Sequence, residues 1–135
     1  MTERERLALE EVRREQDTAV RVLREVLERR PNDQDAGLVA SRLGTTYMLR
    51  LYATFEGLLR SRLGSVVQND EGLTNLVQRI AREGATHDPA TNTVAAWWSL
   101  FRRDRNPLMH GRQVPPAWSI NITLRQMQVF LTQFP

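Results

Sequence analysis

The sequence predicts an all-α protein, an antiparallel bundle of four to five helices forming a single domain over residues 1–135. Three observations carry that expectation. Apolar residues recur at intervals of three and four through most of the chain. Only one short stretch alternates apolar and polar residues as a strand does, and no repeat, low-complexity tract or dividing linker interrupts the pattern.

From Glu3 to Arg30 there is neither glycine nor proline, and Leu9, Val12, Ala19, Leu23 and Val26 recur at helical spacing, with Gln16 in the same stripe. A long amphipathic helix is expected. Glu10 with Arg14 and Glu25 with Arg29 stand at i,i+4, the spacing that lets opposite charges meet on a helix surface. Pro31 and the segment PNDQD supply its stop and the caps of the next helix. That second helix is expected from Gln34 or Leu38 to Val67, because Met48, Leu51, Tyr52, Phe55, Leu58, Leu59, Leu63 and Val66 form a nearly continuous apolar stripe. It should be the central packing element.

Asn69 and Asp70 suit the cap of a third helix, Glu71 to Glu83, with Leu73, Leu76, Val77 and Ile80 toward the core and Gly84 as a left-handed stop. After a polar loop, Thr93 caps an expected fourth helix carrying Val94, Trp97, Trp98 and Phe101, which runs into RRDRN. The segment QVPP reads as extended and WSINIT as a short strand-like stretch, before a last helix from about Thr123 to Gln133 that buries Leu124, Met127, Leu131 and Phe134.

Composition narrows the chemistry. An apolar content of 41% with 26% charged residues is ordinary for a globular chain, and no stretch approaches the roughly 18 continuous apolar residues of a membrane span. No membrane partner is expected. The start, MTERERLALEE, alternates charges and lacks the apolar run of a secretory signal, so a cytoplasmic location is expected. Cysteine is absent and only His87 and His110 could serve as nitrogen ligands, with no HExxH-like spacing around them. Neither a metal nor another cofactor is expected. All 19 basic residues are arginine, whose guanidinium binds phosphate through two parallel hydrogen bonds, and the net charge of +3 permits a polyanionic partner.

The segment from Arg102 to Arg112, RRDRNPLMHGR, is the most informative in the chain. In shuffled chains of this composition Arg-x4-His arises in roughly a quarter and Arg-Asn-x3-His in about one in a hundred, so Asn106 carries most of the specificity. Asn106 suits a helix N-cap, Pro107 the first helical position and Gly111 a stop. Transfer of RNA phosphate to the neighbouring 2′-hydroxyl needs a base, an acid for the leaving 5′-oxygen, and positive charge on the phosphorane between them. Histidine titrates near pH 6.5, about right for either proton-transfer role at His110. Arg105 can hold the phosphate and stabilise the charge that develops on it. Asn106 either orients His110 or the phosphate, or only caps the helix.

Arg105, Asn106 and His110 in the order RNPLMHG resemble the Arg-x4-6-His motif of HEPN domains, many of which are ribonucleases of toxin-antitoxin, abortive-infection and CRISPR-associated systems. The upstream stretch Tyr47 to Leu63 is similar to the long helix that precedes the motif in that family. The resemblance implies a HEPN-like helical bundle that forms a homodimer and joins two motifs in one cleft. It implies metal-independent cleavage of an RNA substrate, leaving a 2′,3′-cyclic phosphate or its 3′-phosphate product and a 5′-hydroxyl. It also implies a cognate antitoxin or defence-system partner. In toxins silenced by nucleotidyl transfer a tyrosine commonly stands two residues after the histidine; here that position is Arg112, which argues against this mode of control.

Arg102, Arg103 and Arg112 are candidates for contacts to RNA phosphates, with a solvated surface as the plain alternative. Glu56 is a candidate for supporting a site residue, although pairing with Arg60 at i,i+4 would account for it. Trp97 and Trp98 are candidates for stacking on bases, but they diverge by about 100 degrees on a helix, which suggests one in the core and one at an interface. His87 stands in a polar loop without neighbouring ligands. The competing reading of the whole chain is a HEPN-like RNA-binding or dimerisation module without catalysis.

Overall fold

The computed structural model describes residues 1–64, 72–84 and 120–134, and every element among them is helical. The described residues form four helices: α1 (Glu3–Arg29), α2 (Gln34–Leu63), α3 (Leu73–Gly84) and α4 (Ile120–Gln133). The all-helical class is therefore as expected.

Each boundary has a local cause. Thr2 opens α1 with a capping box: its hydroxyl accepts from the Glu5 amide at 3.1 Å while its own amide donates to Glu5 Oε2 at 2.8 Å. Arg30 leaves the helix with ψ 77°, as the residue before a proline is driven to do, and its amide still donates to the Val26 carbonyl at 2.8 Å. Asp33 then caps α2 by accepting from the Ala36 amide at 3.0 Å, so only four residues separate the two long helices. Their connection makes them an antiparallel hairpin.

The structure starts α2 at the earlier of the two expected positions and ends it at Leu63, short of Val67. Gly64 stops it with φ 63°, a left-handed backbone that favours glycine. Val66, Asn69 and Asp70 lie outside the described residues. α3 extends to include Gly84, one residue past the expected end.

The strand-like reading of WSINIT is corrected over Ile120 to Thr123, which are the first residues of α4. Three alternating residues fit a helix as well as a strand, and core packing decides between them. Ile120 packs against the core, Thr123, Leu124 and Met127 are buried, and Ile122 turns outward.

α2 is the central element. Its Met48, Leu51, Tyr52, Phe55 and Leu59 meet Leu9 and Val12 of α1, Leu73, Leu76, Val77 and Ile80 of α3, and Leu124, Met127, Phe130 and Leu131 of α4 in one core. Phe55 and Phe130 meet edge to face, with centroids 5.8 Å apart and planes at 80°. Leu58 and Leu63, expected in the same stripe, are partly buried against this core. The hairpin continues past Val12 and Met48 for roughly 25 Å at 1.5 Å per residue. Over that length Ala36 is the one fully buried apolar residue among those described.

Candidate functional site

Arg102, Arg103, Arg105, Asn106, His110 and Arg112 lie outside the described residues, as do His87, Trp97 and Trp98. Glu56 is the one expected site residue within them. The helices on either side in sequence, α3 and α4, both pack on the half of α2 that carries Glu56.

Glu56 follows the buried Phe55 and stands one turn before Arg60, so α2 itself sets their approach. Arg60 donates to Glu56 Oε1 through Nη2 at 3.0 Å and Nε at 3.3 Å, both side chains being partly buried. The expected pair is formed. The pairing fixes the orientation of the carboxylate, whose chemistry toward a neighbour is to accept hydrogen bonds.

Half a turn on, Arg62 joins three helices. Its Nε donates to Glu5 Oε1 at 2.6 Å and its Nη2 to Glu5 Oε2 at 2.8 Å, a two-pronged pairing with a carboxylate on α1. Nη2 also donates to the Leu131 carbonyl at 2.9 Å, and Nη1 to the Phe134 carbonyl. These carbonyls belong to the end of α4, where helix geometry leaves acceptors without partners in the helix. The Arg62 hydrogen bonds hold the Glu5 carboxyl far below the usual carboxylate range, at about 2, against the opposing effect of burial; the Thr2 amide and the chain's terminal charge add to the lowering.

Sequence reading missed this cluster. Glu5 and Arg62 are 57 residues apart, and no local spacing marks them as partners. A second long-range pair, Arg50 with Glu15, ties the middle of α2 to α1, and the Arg50 guanidinium lies 5.7 Å from the centre of the Tyr47 ring. On α1 the expected pairing of Glu10 with Arg14 is replaced: Glu10 accepts from Arg6 at 2.7 Å, and Arg6 also pairs with Glu3. Between two carboxylates at i−3 and i+4, Arg6 satisfies both at once. No ion pair joins Glu25 to Arg29 in the described structure.

Among the described residues no group of three or more His, Cys, Asp or Glu side chains is placed to hold a metal. None of the described helices is long and apolar enough to cross a membrane. Comparison with protein families, with curated proteins and with solved structures finds no match for this chain.

Proposed function

We propose that this chain is a metal-independent endoribonuclease of the HEPN type, a cytoplasmic toxin or antiviral-defence module that cleaves RNA by attack of the 2′-hydroxyl on the adjacent phosphate. The observation that carries the reading is the sequence Arg105-Asn106-Pro107-Leu108-Met109-His110. In it, His110 moves the proton and Arg105 stabilises the phosphorane, while Arg102, Arg103 and Arg112 hold flanking phosphates. Asn106 orients the histidine or caps its helix.

Two features of the fold support the proposal. The chain is all-helical among its described residues, which is compatible with a HEPN-like bundle, and the stretch Tyr47 to Leu63, similar to the long helix upstream of the motif in that family, is helical within α2. Glu56 stands on that helix, paired with Arg60. The proposed enzyme works as a homodimer with two motifs in one cleft, under the control of a cognate antitoxin or defence-system partner.

The test is to incubate the purified chain with total RNA in excess EDTA, beside its His110→Ala variant, and to identify the RNA ends. Products with 5′-hydroxyls and with 2′,3′-cyclic phosphates or the 3′-phosphates derived from them, formed by the parent alone, are expected. Binding of RNA without cleavage would move the assignment to a non-catalytic RNA-binding or dimerisation module.

A further inference from the structure

On the outer half of the hairpin, α2 carries Asp35, Leu38, Val39 and Arg42 at i, i+3, i+4 and i+7, the spacing of a single helix face. All four are exposed. Leu38 is 56% exposed and Val39 50%, although neighbouring apolar residues on the same hairpin are drawn into its seam. We propose that this face is a self-association surface, on which a second copy of the chain docks its own α2 antiparallel about a two-fold axis midway between Leu38 and Val39.

The choice of a second copy follows from the order of the residues. A two-fold axis at that point sets Leu38 against the copy's Val39 and Asp35 against the copy's Arg42, and each contact occurs twice. Opposite charges meet at both ends of an apolar centre. Beside the face, Val39 continues into a groove of about 580 Å³ along the seam, floored by Val22, Leu23 and Leu43. Val22, 49% exposed, extends the apolar strip onto α1.

Charge selects among occupants. A polyanion or an anionic membrane would gain from Arg42 and be repelled by Asp35, which is equally distant from the apolar pair. A copy of the chain satisfies both. The contact is also short: one helix crossing falls below the roughly 800 Å² per partner of a standard interface, so association is expected at tens to hundreds of micromolar, on the order of a transient complex.

The experiment uses charge reversal. Asp35→Arg sets arginine against the copy's Arg42 at both ends, and Arg42→Asp sets aspartate against the copy's Asp35 at both ends. Each variant alone should associate roughly tenfold more weakly than the parent in low salt, as two exposed pairs lost and two repulsions gained imply. Mixed one to one, the two variants are complementary at both ends and should associate as the parent does. The doubly reversed chain should do so too. Sedimentation equilibrium across the micromolar range reads all of these, and circular dichroism verifies the helices.

Replacing Leu38 and Val39 together by serine should remove the association. A parent that stays monomeric throughout, or equal association of the parent, the variants and their mixture, overturns the proposal. The inference stands apart from the ribonuclease reading: a dimer indifferent to Asp35 and Arg42 but active on RNA would sink this surface and leave that activity intact.

Discussion

Arg62 holds Glu5 by both carboxylate oxygens, at 2.6 and 2.8 Å, and with the same guanidinium closes the end of α4 through the carbonyls of Leu131 and Phe134. The start of α1 and the ends of α2 and α4 therefore depend on one side chain. Arg62→Ala leaves a carboxylate that is 7% exposed without its partner and frees two helix-end carbonyls. A loss of about 3 to 5 kcal/mol is expected, the scale for breaking a buried pair from one side. Arg62→Lys keeps the charge but not the fork and should recover only part of it. Urea unfolding followed by circular dichroism measures both. A change under about 1 kcal/mol for Arg62→Ala would show the clamp to be dispensable.

The same pair makes stability depend on acid. Glu5 has its carboxyl lowered in the folded chain to about 2, while an unfolded glutamate titrates near 4.3. A lowered folded value means that the stabilisation is complete above the unfolded value and is lost as pH falls toward the folded one. The window is thus pH 5 to 2, and the contribution at neutral pH is about 3 kcal/mol. Glu5→Gln should be less stable than the parent at pH 7 and approach it at pH 2. Parallel stability curves for the two proteins across this window would assign the acid dependence to other carboxylates.

Core packing yields a third expectation. Phe55 is fully buried at the meeting of α2 and α4, edge to face with Phe130. Phe55→Ala removes a ring from a site where neighbouring side chains relax only partly, and should cost about 3 to 5 kcal/mol. Leu7→Ser, on the exposed face of α1, should change stability by less than about 0.5 kcal/mol. Similar effects of the two substitutions would contradict the placement of the core.

These contrasts show what was legible in the sequence. The stripes Leu73-Leu76-Val77-Ile80 and Leu124-Met127-Leu131-Phe134 are buried as their spacing requires, because helical periodicity records burial directly. Periodicity does not say what a stripe is buried against. Ala19, Leu23 and Val26 continue the stripe of Leu9 and Val12, yet they reach only half-burial, since the hairpin outruns the core there. Ile120 to Thr123 misled because four residues cannot separate a period of 2 from one of 3.6. The Glu5–Arg62 pair was invisible for a different reason: it is made by the fold, between residues with no local relation. At the candidate site, the Glu56–Arg60 pair was legible at i,i+4, while the arginines and His110 of the motif lie outside the described residues.

If the proposed ribonuclease reading is right, its chemistry makes a fourth prediction. Arg105→Ala and His110→Ala should each lower cleavage by roughly a hundredfold or more, the usual scale for losing an electrostatic or acid-base group, with helical content unchanged. Excess EDTA should leave the parent's rate as it was. Strict dependence on added magnesium or manganese would point back to the carboxylates, and undiminished cleavage by folded His110→Ala would place the activity elsewhere.

The fifth prediction concerns whether two chains share one site. In a cleft on a two-fold axis, a heterodimer of the Arg105→Ala and His110→Ala chains still contains one His110 and one Arg105, although neither chain holds both. Co-refolding the two variants should then restore a fraction of parental cleavage, set by the proportion of mixed dimers and by the missing second pair. Chemistry that needs both histidines, one as base and one as acid, would stay blocked in that mixture, so a second heterodimer is required. It pairs the parent with the doubly substituted chain. A shared site that uses both histidines leaves this heterodimer inactive, whereas self-sufficient sites leave it with full activity per intact chain. Full activity per intact chain in this second heterodimer, with no recovery in the first, would rule out the shared cleft.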